Sequence, residues 1–178
     1  MAETSLPLLA ISGPVGVGKT TVGNEVSNLL NRQGVAHTFI DIDTLAGTYP
    51  RPPDDRFGNR LALRNLRDVW ANCACSGSRN LIVTRVLERH QDIDELQHAV
   101  PGSKPIVCQL RASEATLIQR VRARELGSGR EWHETRALEL AESLRRTAPA
   151  DFHVDTDGRS LLDIADEVVG QIEWVTSI

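Results

Sequence analysis

Two spacings of apolar residues alternate along the chain. Short runs at Leu6 to Ser12, Ala36 to Ile40, Leu81 to Thr84, Pro105 to Leu110 and Phe152 to Val154 carry no period-two polarity. Runs of that kind are expected for strands covered on both faces. Between them the spacing becomes helical. Val22, Val26, Leu29 and Leu30 fall on one helical face before Gly34 ends it, and a proline-rich loop from Tyr49 to Pro53 leads through Asp54 and Asp55 into a helix running toward Gly77. A short helix around Asp92 to Val100 stops at Pro101 and Gly102. Ser113 is placed to cap a helix carrying Leu117, Val121 and Arg124, which breaks at Gly127, Ser128 and Gly129. Trp132, Leu138, Ala141 and Leu144 mark a further helix ending before Pro149, and Ser160 with Asp163 forms the capping pair of a last one. Strands alternating with helices predict an α/β class with a parallel sheet covered on both sides.

The length of 178 residues suits one domain over 1–178, and 40% hydrophobic with 25% charged residues is the balance of an ordinary globular domain. A net charge of −4 argues against a nucleic-acid partner, which a basic face would serve. The longest apolar run is interrupted by Pro7 and has no basic residue ahead of it, so neither a membrane span nor a secretory signal is expected. Cys73, Cys75 and Cys108 suit neither a disulfide framework nor a zinc site and point to a reducing cytoplasm. Of the 20 lysines and arginines only Lys19 and Lys104 are lysine, which draws attention to the first of them.

Lys19 stands in Gly13-Pro14-Val15-Gly16-Val17-Gly18-Lys19-Thr20, a full phosphate-loop match following a strand and opening a helix. Glycines let backbone N–H groups wrap a phosphate and the helix presents its positive end. Lys19 can reach the β and γ phosphates, Thr20 can ligate Mg²⁺, and Thr21 continues the binding helix. This motif names a nucleotide and not a reaction. The third strand does not end in an acid, and no Asn precedes either lysine in a guanine-reading motif, so ATP is expected rather than GTP. The acids lie instead in Phe39-Ile40-Asp41-Ile42-Asp43. Two carboxylates spaced by one residue in an extended segment point to the same side and, at the C-terminal edge of a sheet, face the phosphates. One can hold the metal's water shell while the other takes a substrate proton; spacing permits either order. Alternatively the pair caps the following turn through Asp43 and Thr44.

With the phosphate loop and the F-x-D-x-D of Phe39 to Asp43, the Leu117-x-x-Arg120-x-x-x-Arg124 helix and the Val154-Asp155-Thr156-Asp157-Gly158 turn, nearly the whole chain resembles the small-molecule P-loop kinases. That group includes shikimate, gluconate and adenylylsulfate kinases. The resemblance implies a three-layer α/β/α fold, a five-stranded parallel sheet in order 2-3-1-4-5, and a helical lid at about 125–137, with Gly127 to Trp132 at its heart. It implies ATP and Mg²⁺ as cofactors, Asp41 with Thr20 on the metal, Asp43 as the base, and Lys19 and Arg124 as catalytic cations. Arg120 and the turn Thr156, Asp157 and Gly158 would serve ATP, while Arg85, where shikimate kinases carry a glycine-rich motif, would meet the acceptor with Arg60 and Arg64.

Arg56, Arg60, Arg64 and Arg67 share one helical face, suited either to an anionic acceptor or to solvent. Cys73 and Cys75 are expected as small buried apolar residues, and the five histidines show no metal-binding spacing. The reading is an ATP- and Mg²⁺-dependent phosphotransferase acting on a hydroxyl of a small molecule, as monomer or homodimer. Its rivals are a nucleotide, nucleoside or antibiotic kinase on the same scaffold and a non-enzymatic ATP-dependent switch.

Overall fold

Strand residues alternate between two separate apolar clusters, which is how both faces of the sheet are covered. In β1 (Leu6–Ser12), Leu9 and Ile11 enter one cluster and Leu8 and Ala10 the other. The same alternation runs through β3 (Asn80–Thr84), where Ile82 opposes Leu81 and Val83. This computed structural model describes residues 5–124, 127 and 130–174. Its five strands, completed by β2 (His37–Asp41), β4 (Ser103–Arg111) and β5 (Phe152–Asp155), pair entirely in parallel in the order 2-3-1-4-5.

One cluster gathers α1 (Lys19–Arg32), α4 (Glu114–Arg124), α5 (Arg130–Thr147) and α6 (Leu161–Gly170) through Val26, Leu30, Leu117, Ala141 and Val168. The other gathers α2 (Asn59–Cys75) and α3 (His90–Ala99) through Leu66, Trp70 and Leu96. Truncating a side chain as enclosed as Leu30 or Leu66 costs about 2–5 kcal/mol, because the cavity cannot collapse. Among the described residues no helix is long and apolar enough to cross a membrane.

Three local expectations change. The Asp41-Ile42-Asp43 segment is not extended throughout: β2 ends at Asp41 and a 3-10 turn occupies Ile42–Ala46. The helix expected directly after Asp54 and Asp55 starts only at Asn59, because the Asp55 carboxylate turns inward to accept from Arg60 N and Leu61 N, both at 3.1 Å. Cys75, at the end of α2, is exposed rather than buried, while Cys108 in β4 is enclosed and its thiol is pushed up to about 12 by burial.

Candidate active site

Parallel strands bring the loops after β1, β2, β3 and β5 to one edge of the sheet. The first of these loops is shaped by close backbone approach. A Cβ on Gly13 would stand 2.7 Å from the Leu110 carbonyl oxygen and 2.9 Å from the Val17 side chain. Gly16, at φ +83°, would meet Val121 of α4 at 2.9 Å. The loop therefore wraps tightly only because those positions lack side chains. Gly18, left-handed, starts α1 with no side-chain cap and no acid in the first turn, leaving N–H groups and the positive helix end for an anion.

Lys19 folds back over this loop and donates to the carbonyls of Gly13 at 3.0 Å and Pro14 at 3.1 Å. Burial lowers its pKa to about 8, against the opposing pull of Asp43 and Asp41 and with a further push from Arg124. Beside it the Thr20 hydroxyl donates to Asp41 Oδ2 at 2.6 Å, joining the phosphate loop to the end of β2. The other Asp41 oxygen accepts from Asp43 N at 3.2 Å, and the Asp41 carbonyl accepts from the Thr44 hydroxyl at 2.6 Å. The capping alternative is thus realised, by Asp41 rather than by Asp43. The turn it caps carries Asp43 to the cleft, where Lys19, Asp41 and Arg85 all act on it. Desolvation holds the Asp43 carboxyl above the usual range, Asp41 adds to this, and Lys19 and Arg85 oppose it.

Two cavities flank these residues. One of about 370 Å³ lies between the loop and α6 and is lined by Gly16, Gly18, Thr21, Arg120, Arg124 and Thr156. Arg120 organises it, donating to Val17 O at 3.0 Å and to the Thr156 hydroxyl at 2.9 Å. Arg159, which sequence reasoning passed over, also lines this cavity; its fork to Asp155 O and Glu167 gives no signal in the sequence. Asp157 instead accepts from Ser113 N at 2.9 Å, tying the turn to the start of α4, and lines a separate pocket behind Pro14. Gly158 follows it in the left-handed region, at φ +66°.

The second cavity, a cleft of about 1150 Å³, opens on the other side of Asp43. Arg85 lines it, as expected, but Arg60 and Arg64 do not. They lie on the exposed side of α2, where Arg60 is bonded to Asp54, while Ala62 of the same helix turns toward the cleft. The cleft's other cations are Arg51, Arg89 and Arg136, from loops and from α5. Of the expected lid, residues 125, 126, 128 and 129 lie outside the described residues, and 130–137 form the start of α5. Trp132, His133 and Arg136 in that stretch line the cleft.

A metal ion fits the donor set. A hydroxyl and a carboxylate in contact, with no group of three or more acidic, histidine or cysteine ligands among the described residues, match Mg²⁺, which keeps waters and takes few protein ligands beside phosphates.

Comparison with known proteins bears on the fold. A family model described as an AAA domain matches residues 9–142. No curated protein matches the sequence. Among solved structures, a gluconokinase from Sinorhizobium meliloti 1021 is similar at 22% identity and a TM-score of 0.61, over 93% of this chain and 90% of that one. A tunicamycin resistance protein from Deinococcus radiodurans gives 18% and 0.62, over 94% and 95%. A shikimate kinase from Acinetobacter baumannii, in complex with shikimate, gives 21% and 0.56, over 94% and 92%. At these identities the likeness establishes the fold, which this chain shares with those structures.

Proposed function

The chain belongs to the AAA domain family, and we propose that it moves the γ-phosphoryl of ATP to a hydroxyl of a small molecule. The observation that carries the reading is the position of Asp43 on the wall of a cleft of about 1150 Å³, beside Lys19 and the Thr20–Asp41 pair. Slow hydrolysis by a switch would need only room for a water there.

ATP would place its phosphates in the loop and its base in the 370 Å³ cavity beside Arg120 and Thr156. Thr20 and Asp41 would hold Mg²⁺, which supplies charge neutralisation at the phosphates when bound. Lys19 leaves its loop carbonyls for the β and γ phosphates, exchanging two neutral acceptors for charged ones. Asp43 takes the proton of the acceptor hydroxyl as its oxygen bonds to the γ phosphorus. The bond to the β–γ bridging oxygen breaks, and its electron pair leaves with ADP. Lys19 and Arg124 balance the charge on the transferring group, so catalysis is positioning and electrostatics.

A screen of hydroxyl metabolites, sulfonucleotides, nucleosides and antibiotics for acceptor-stimulated ADP release tests this. Stimulation abolished by Lys19→Ala supports it. ADP release that no acceptor changes, or an active Lys19→Ala variant, overturns it.

A further inference from the structure

Two large rings on the acceptor side are left unburied by the fold. Trp132 is 57% and Phe57 62% exposed, and both line the 1150 Å³ cleft, one from the first turn of α5 and the other from the loop before α2. Each is held by a neighbour that does not cover it. Trp132 meets the His133 ring edge-on at 4.9 Å between centroids, and the Arg56 guanidinium lies 5.7 Å from the centre of Phe57. The chain has only seven Phe, Trp and Tyr in all. Two of so few standing open on one cleft present apolar faces to whatever enters it.

The charges of the cleft point the same way. Arg136 is matched by Glu88 at 2.7 Å and Arg89 by Asp92 at 3.5 Å, while Arg85 acts on Asp43. Arg51 donates to the Arg56 carbonyl. A cleft whose cations are largely answered from within is poorly suited to select a highly charged acceptor by charge. Its volume of about 1150 Å³, just above the range of about 300–1,000 Å³ for pockets holding drug-sized ligands, exceeds the need of a small acid. Flat rings bind to open aromatic faces with little loss of side-chain freedom.

Resting on the reading of this cleft as the acceptor side, we infer that the acceptor is a weakly charged hydroxyl compound bearing a flat aromatic or heteroaromatic ring, which Phe57 and Trp132 engage while its hydroxyl reaches Asp43. Matched probes test the ring itself: uridine against ribose, and phenyl β-glucoside against methyl β-glucoside, titrated calorimetrically into the full chain with ATP affinity measured in parallel. Expected is at least about a tenfold advantage for the ring-bearing member of a pair, reduced to below about threefold in both Trp132→Ala and Phe57→Ala with ATP affinity unchanged. Both side chains are exposed, so neither substitution threatens the core. An advantage under about twofold in both pairs, or one that survives both substitutions, overturns the inference. These are binding measurements and require no transfer. Ring-dependent binding without acceptor-stimulated ADP release would therefore sink the kinase reading and leave the ring site standing, and the converse result would do the reverse.

Discussion

At Lys19 the phosphate-loop motif implies a phosphate partner, while the structure adds a charge held at a cost. Burial depresses the amine to about 8, so a bound polyphosphate, favouring the charged form, must raise it again. ATP affinity is then expected to be constant below about pH 8 and to fall by up to tenfold per unit above it, with proton uptake on binding. Titrations from pH 7 to 10 in buffers of different ionisation enthalpy check both, and an affinity flat across that range would refute the depression. A second contrast separates the acids. Asp41 bonds Thr20 and caps the 3-10 turn, whereas Asp43 has a carboxyl raised by desolvation and by Asp41. A carboxyl raised on folding is a site where the folded state holds its proton longer, so its ionisation weakens the fold as pH rises through that window. Removing the charge should therefore stabilise. Asp43→Asn is expected to raise Tm while lowering kcat about 10²-fold or more at any Mg²⁺ level. Asp41→Asn is expected to lower Tm and to be partly rescued by excess Mg²⁺. Rate against Mg²⁺ and thermal melts of both variants decide it, and rescue of Asp43→Asn by metal would reverse the roles. The spacing of the two acids was legible, and the resemblance assigned their roles, but the 3-10 turn that begins between them was not, because it breaks the extended pattern on which the spacing argument rests.

Elements were legible wherever period and capping agreed. The strand at Leu6–Ser12 and the helix opened by Ser160, which accepts from Asp163 N at 3.1 Å, stand where pattern and cap put them. The arginine face of α2 shows where pattern runs out. Periodicity places Arg60 and Arg64 on one side of a helix, but only packing decides which side turns inward, and here Ala62, Leu66 and Trp70 occupy the inner one. Packing also hides the closest contact of the site's scaffold. Gly23, inside α1, lies so near the sheet that a Cβ there would meet Phe39 at 2.5 Å and Thr84 at 2.9 Å. Neither can retreat freely, since Thr84 is enclosed in β3 and Phe39 packs against the core. Gly23→Ala would gain helix propensity worth about 1 kcal/mol and lose about 1–3 kcal/mol to overpacking. The net expectation is destabilisation, together with weaker ATP binding, because the displaced helix carries Lys19 and Thr20. A melt with a higher midpoint than the parent would show that α1 has more room than this geometry allows.

Across the whole molecule, the sheet order places the nucleotide loop on the central strand, with the acids from β2 and the Arg120 helix on opposite sides of it. That arrangement puts the two cavities on either side of the glycine-rich loop, and the resemblance to small-molecule P-loop kinases anticipated it at the level of the fold. The wall of the large cleft was less legible, because its residues come from segments far apart in sequence and have no common spacing. Arg136 of α5 bonds Glu88 after β3 at 2.7 Å, across 48 positions of chain. At its start α5 is held to α4 by two bonds of 3.0 Å from Arg122 to Glu134. The Arg136–Glu88 pair thus ties α5, which carries Trp132, to the loop that carries Arg85. Both partners are about one-third exposed, at 36% and 32%, so the pair contributes under about 1 kcal/mol to stability. Its larger effect should be on the shape of the cleft. Glu88→Gln is expected to leave Tm nearly unchanged and to raise acceptor KM severalfold, with ATP affinity constant and kcat changed less than KM. The charge-swapped pair Glu88→Arg with Arg136→Glu should recover part of the loss. Steady-state kinetics in both substrates with hydrogen exchange across α5 provide the check: unaltered acceptor KM in Glu88→Gln would mean that the packing of α5 alone holds the wall in place.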